Sequence, residues 1–178
     1  MQNFLLHINR IASAIHPQQS PKAPHERIRL NLVDFTGQTL RCLQPAASQV
    51  GITISTEKTV ENISICGDAA LITQALDGLV CQVIQLSKPG SQITLRLENL
   101  PDAQVMLSVR SSGLVLDAKY VDKLFEETAN LPTTTNFGGL GIQLSLVKEI
   151  ISRHNGKIWF DNPEDKEASF RIKIPIFK

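Results

Sequence analysis

Gly138 to Phe160 reads G-G-L-G-I-Q-L-S-L-V-K-E-I-I-S-R-H-N-G-K-I-W-F. Gly138, Gly139 and Gly141 predict a flexible loop whose backbone can approach another group closely. From Leu144 the apolar residues recur at helical spacing as Val147, Ile150 and Ile151. Asn155-Gly156 is a helix stop, and Lys157 to Phe160 is strand-like. A glycine loop that feeds a helix N-terminus favours anions, because its free N–H groups and the helix dipole both point positive charge outward.

On either side of this stretch the pattern is that of one domain with an appendage. Residues 2–16 place Phe4, Ile8, Ile11 and Ile15 on one helical face, and Pro17 ends that helix. So short a helix needs a partner: the domain itself or a second copy. Pro17, Pro21 and Pro24 mark a linker. A helix is expected from Asn31 or Asp34 to about Gln49, with Leu32, Val33, Leu40 and Leu43 inward, although Gly37 and Pro45 oppose it. Ile52–Thr56 and Ile63–Cys66 read as short strands. Asp68 caps the clearest helix, whose stripe is Leu71, Ile72, Ala75, Leu76, Leu79, Val80, Val83 and Ile84.

A hairpin follows, with Ile93, Leu95 and Leu97 alternating, a turn at Asn99–Asp102, and Val105, Leu107 and Val109 alternating again. A short helix over 118–127 and a long Thr- and Asn-rich loop over 128–136, a candidate lid, precede the glycines. Phe170, Ile172, Ile174 and Ile176 form a last strand. Strands in adjacent pairs with helices between the pairs predict an α+β fold. The expected form is a two-layer sandwich, a mixed and mainly antiparallel sheet with helices on one face. The domain limits are 1–16 for the helix, 17–29 for the linker and 30–178 for the compact domain.

The 178 residues carry a formal net charge of +1, which makes no case for nucleic acid or an anionic membrane. No apolar run is expected to span a membrane and no signal peptide is visible, so a cytoplasmic location is expected. Cys42, Cys66 and Cys81 fit neither a metal spacing nor a disulfide framework.

The glycine–helix–strand stretch resembles the second glycine box of the ATP-binding domain of bacterial sensor histidine kinases, which share a fold with the gyrase-type ATPases. The resemblance covers about residues 30–177 and implies ATP and Mg²⁺ as cofactors. Each nucleotide box departs from the family. Gln82 stands where an asparagine supplies Mg²⁺ with an oxygen, and Gln85 where a basic residue faces phosphate. Ser111, two residues before Gly113, stands where an aspartate reads the adenine amine, and Val115 replaces the next glycine. Lys123-Leu124-Phe125-Glu126 matches the run before the lid, with Phe125 either a core anchor or a lid hinge. Gly139 and Gly141 remain in the second glycine box, but Gln143 replaces its third glycine.

His25-Glu26 resembles a phosphoacceptor dipeptide, yet it lies in the Pro-flanked linker with no room for a second helix. Helix 2–16 resembles the end of a dimerisation helix, and His154 a C-terminal helix cap. No catalytic residue is assigned, and Gln82 is the candidate Mg²⁺ contact. The pattern predicts a degenerate signalling domain that acts by protein–protein interaction, with weak or no ATP binding. Its partner would be a histidine kinase, a response regulator or a second copy. The alternatives are an active domain phosphorylating a histidine in trans, and a nucleotide- or small-ligand-binding switch without phosphoryl transfer.

Overall fold

A computed structural model describes residues 26–58, 60–114, 116, 121, 123–126, 137–162 and 168–177. The helix expected over 2–16, the linker over 17–25, Val115 and the candidate lid over 128–136 lie outside the described residues.

The element order is β1 (Ile28–Asn31), α1 (Leu32–Gln49), β2 (Thr53–Lys58), β3 (Ser64–Gly67), α2 (Ala69–Leu86), β4 (Gln92–Leu100), β5 (Gln104–Ser111), α3 (Phe137–Arg153), β6 (Lys157–Asp161) and β7 (Ser169–Pro175). Five strands form one sheet in the order β2-β4-β5-β7-β6. Only β2–β4 is parallel; the other three pairings are antiparallel. The inward residues Ile93, Leu95, Leu97, Val105, Leu107, Val109, Phe170, Ile172 and Ile174 are all buried under the helices. The expected mixed, mainly antiparallel α+β sandwich is therefore the observed one.

The two-stranded β1–β3 sheet was not expected. It begins at Ile28, two residues ahead of the expected domain limit.

α1 forms despite Pro45 and Gly37. Asn31 caps it by accepting from the Val33 N–H at 3.1 Å. Its buried stripe is Leu32, Thr36, Thr39, Leu43, Ala46 and Ala47, so Val33 and Leu40 are only half-buried, contrary to expectation. Threonine is tolerated inside because each hydroxyl finds an acceptor: Val33 carbonyl for Thr36 at 2.9 Å, Asp77 carboxylate for Thr39 at 2.7 Å.

α2 is the core helix. Asp68 caps it as expected, accepting from the Leu71 N–H at 3.0 Å. The predicted stripe is buried except Leu71, which is half-buried. By length and mean hydropathy, 1.4 over 18 residues, α2 also has the make-up of a membrane span, against the sequence expectation. More than half of it is buried inside the domain, which accounts for that composition.

α3 ends as Asn155-Gly156 predicts, but the two residues divide the work differently. Asn155 takes the left-handed conformation at φ 56°, and the Gly156 N–H returns to the Ile151 carbonyl at 2.9 Å. Gly156 serves close approach instead: a Cβ there would lie 2.7 Å from the Lys173 carbonyl oxygen and 2.8 Å from Ile151 Cγ2. Leu124 is buried and Phe125 meets Phe170 edge-on with ring centroids 6.3 Å apart, so Phe125 contacts the core.

All three cysteines are free thiols. Burial, with the neighbouring Asp77 charge adding to it, pushes the Cys81 thiol up to about 12, whereas Cys66 is exposed. Native protein at mildly alkaline pH is expected to label at Cys66 and not at Cys81, with Cys81 becoming reactive only on unfolding. A raised thiol value also means that stability falls as pH rises from 9.0 toward about 12. Thiol-reagent kinetics read by peptide mass check the first point. Overpacking against backbone costs about 1–3 kcal/mol, so Gly156→Ala is expected to lower the melting temperature by roughly 3–10 °C in a thermal scan.

Candidate functional site

Four of the sequence-predicted residues, Gln82, Gln85, Ser111 and Gly113, surround the C-terminal half of α2. The other three, Gly139, Gly141 and Gln143, lie on α3. The two helices pack antiparallel. His154, just beyond α3, meets Asp68 at the start of α2, and a Cβ on Gly78 would lie 3.6 Å from Val147 Cγ2. Continuing that register puts Gln82, one turn beyond Gly78, toward the end of α3 that holds Gly139, Gly141 and Gln143.

The predicted glycine loop is helical: α3 begins at Phe137. In an α-helix the N–H of residue i bonds to the carbonyl of i−4, and only the first turn leaves N–H groups open. Gly139 falls within that first turn. Gly141 falls beyond it, so its N–H is taken up by helix geometry. The glycines are carried into the helix because the following residues, Leu144 and Val147, are pinned in the core.

Ser111 closes β5 and is 2 % exposed. Its Oγ lies 2.7 Å from Ser87 Oγ, and Ser87 donates to the Val83 carbonyl at 2.6 Å. A hydroxyl has one proton. Ser87 spends its proton on Val83, so Ser111 must donate to Ser87. The Gly113 N–H approaches Ser111 Oγ at 3.4 Å. Ser111 is thus tied into the C-cap of α2 as an uncharged group whose proton is committed to Ser87.

Gly113 is clamped at the same corner. Lys88 N–H donates to the Gly113 carbonyl at 3.1 Å, and Ser87 and Leu114 form an isolated bridge. A Cβ on Gly113 would lie 2.0 Å from Ser91 Oγ, itself bonded to the Lys88 carbonyl at 2.5 Å. The sequence analysis missed Ser87 and Ser91. The signal was there: hydroxyls at and just beyond the end of a helix are C-cap candidates, and Ser111 needed a partner once buried.

Gln82 is 1 % exposed, and its Oε1 has no hydrogen-bond partner among the described residues. Gln85 is half-buried. Among the described residues no group of three His, Cys, Asp or Glu side chains could hold a metal ion. An implied Mg²⁺ would have the Gln82 amide oxygen as its candidate contact here. That oxygen is a suitable hard donor, but it sits on a side chain one methylene longer than asparagine.

His154 meets a last-turn carbonyl of α3, as a C-terminal cap would, but it is also buried against α2. It is 4 % exposed, its Nε2 accepts from the Asp68 N–H at 3.0 Å, and its Nδ1 lies 2.7 Å from the Ile150 carbonyl. The ring ties the two helices together rather than facing solvent at a helix end.

A mixed sheet covered on one face by helices, with a glycine turn and a polar corner at facing helix ends, defines an ATPase-type sandwich. The chain belongs to the family of histidine kinase-, DNA gyrase B-, and HSP90-like ATPases, whose family model matches residues 67–178. It is 29 % identical over 111 residues to sensor histidine kinase WalK of Bacillus subtilis, a match covering 61 % of this chain and 18 % of that protein. It is 24 % identical over 149 residues to the adaptive-response sensory kinase SasA of Synechocystis, covering 84 % of this chain and 39 % of that protein. The chain thus spans well under half the length of these curated relatives. Among solved structures, the catalytic domain of histidine kinase ThkA superposes with a TM-score of 0.72 at 26 % identity, covering 84 % of this chain and 95 % of that one. The chain is accordingly a histidine-kinase ATPase-type domain of signal transduction.

An unpaired buried acceptor costs about 1–3 kcal/mol. Gln82→Met removes it at similar volume, and is expected to stabilise the domain by about 1 kcal/mol, or roughly 2–4 °C in melting temperature. A drop in melting temperature would mean that the Gln82 amide is already satisfied.

Proposed function

We propose that this domain signals by protein–protein contact and binds ATP weakly or not at all. The observation that carries this reading is the Ser111–Ser87–Val83 hydrogen-bond chain. At the position where the family has a charged acceptor for the adenine amine, this protein has a buried hydroxyl already committed to α2. Replacing a charged acceptor by a neutral one gives up about 1.5–3 kcal/mol, or roughly ten- to a hundredfold in affinity. Gln143, in place of a glycine, and the longer side chain of Gln82 weaken the phosphate and metal ends of the same site. Phosphoryl transfer rests on positioning and charge stabilisation, and these substitutions remove both.

The partner in this proposal is an intact histidine kinase or a response regulator in the cytoplasm. A histidine kinase of the same fold, ThkA, has been solved in complex with the response regulator protein TrrA, with a TM-score of 0.73 at 24 % identity, covering 99 % of this chain and 49 % of that one. Residues 1–16 would act as a remnant dimerisation helix, joined by the proline-marked linker to the domain that β1 opens, and would offer a route to self-association.

One observation favours a second reading. The buried, unpartnered Oε1 of Gln82 is the kind of group that a bound ligand satisfies. A small-ligand switch without phosphoryl transfer would use it.

Thermal shift with millimolar ATP and ADP, with and without Mg²⁺, separates the readings. A ligand at about 100 times its dissociation constant stabilises by about 2.7 kcal/mol. No shift is expected. A metal-independent shift would favour the ligand switch. A Mg²⁺-dependent shift would overturn the proposal and direct the next assay to phosphotransfer in trans.

A further inference from the structure

β6 is an end strand of the five-stranded sheet, and among the described residues only β7 pairs with it. An edge strand presents a row of backbone N–H and C=O groups to which another strand can add. The five residues of β6, K-I-W-F-D, are ordered by charge. Lys157, Trp159 and Asp161 alternate onto the outer face of the sheet, while Ile158 and Phe160 turn inward to the core. The positive charge thus stands at one end, the negative charge at the other and the indole ring at the centre.

The outer face pairs unevenly within one copy. The Asp161 carboxylate meets Arg171 at 2.7 Å, and a carboxylate has acceptor sites for a second cation. At the other end Lys157 stands directly opposite Lys173. Like charges facing each other across a ladder are unfavourable, and an added carboxylate relieves them. Lys157 is exposed and Trp159 is half-buried.

We propose that β6 pairs antiparallel with β6 of a second copy about a twofold axis at Trp159, joining two sheets into one. In that register Lys157 faces the second copy's Asp161 at both ends, Ile158 faces Phe160, and the two Trp159 rings meet at the centre. Antiparallel ladders alternate bonded and non-bonded pairs, and this register is in phase with either alternation. The same residues disfavour the competing registers. Parallel pairing sets Lys157 on Lys157 and Asp161 on Asp161. A slip of one residue opposes outer to inner faces, and a slip of two sets a charge against Trp159. The edge is therefore complementary in charge to itself, which selects a second copy as its occupant. Five residues a side fall well short of the roughly 20–30 of a standard interface, so the contact depends on protein concentration. It is separate from residues 1–16 and does not depend on whether nucleotide binds.

Trp159 is the one tryptophan of the chain, so its emission reports on this contact. The test follows sedimentation equilibrium and tryptophan emission of the full chain over about 5–500 µM. The samples are wild type, Lys157→Glu, Asp161→Lys and an equimolar mixture of the two variants. The wild type is expected to dimerise with a blue shift of its emission. Each variant alone sets like charges across the axis and is expected to associate at least about tenfold more weakly. The mixture restores opposite charges at both ends and is expected to recover wild-type association. Wild-type emission that does not change with concentration would overturn the proposal. So would variants whose emission shift matches the wild type's, or a mixture no tighter than either variant. A dimer that persists in both variants with emission unchanged would place self-association elsewhere and refute the strand contact. Lys157 is exposed, so should Asp161→Lys fail to fold, the Lys157→Glu result decides alone.

Discussion

The packing of α2 against α3 is the contact on which the remainder depends. α2 carries Ile72, Ala75, Leu76, Leu79, Val80, Val83 and Ile84 into the core, and α3 adds Leu144, Val147, Ile150 and Ile151. Gly78 admits Val147 at van der Waals distance, and the His154–Asp68 bond fixes the register at one end. That register brings the polar end of α2 to the glycine-bearing end of α3. At the same end of α2, Ser87 and Lys88 reach across to the exit of β5. Helix packing, rather than proximity in sequence, thus sets where the residues matching the family's nucleotide boxes lie.

Most of the sheet could be read in the sequence because its inner and outer faces differ. Alternation in Leu95–Leu97, Val105–Val109 and Phe170–Ile174 survives in the structure as buried and half-exposed residues, whereas Thr94 is buried between Ile93 and Leu95 and Ile176 is only half-buried. α2 was legible for the same reason, since its apolar stripe and its Asp68 cap agree. β1 was not, because Ile28 to Asn31 run directly into α1 and share their polar and apolar residues with a helix start. The inner face of α1 was misread where threonines replace aliphatic residues, since their burial depends on acceptors, Val33 and Asp77, that no periodicity reveals.

The candidate site was legible by position and not by chemistry. Ser111, Gly113, Gln82 and Gln85 do gather around one helix. What the sequence could not show was that Ser111 spends its proton on Ser87, that Gln82 is fully buried, or that the glycines open a helix instead of preceding one. Two of these follow from named partners: Val83 for the hydroxyl chain, and the core anchors Leu144 and Val147 for the helix. His154 illustrates the same limit, since the sequence marks a C-terminal helix cap but not the ring's acceptor role to the Asp68 N–H.

The chain has the family fold, and our proposal is that the groups which would contact nucleotide differ from the family's. Calorimetric titration of Mg–ATP into the wild-type chain and into a Ser111→Asp/Gln82→Asn variant tests it most directly. The account predicts no measurable binding to the wild type at millimolar ATP, with binding gained in the variant as the charged acceptor and the shorter amide return. Wild-type protein that binds as tightly as the variant would contradict it, and would mean that the serine corner and the longer amide serve nucleotide by a geometry of their own.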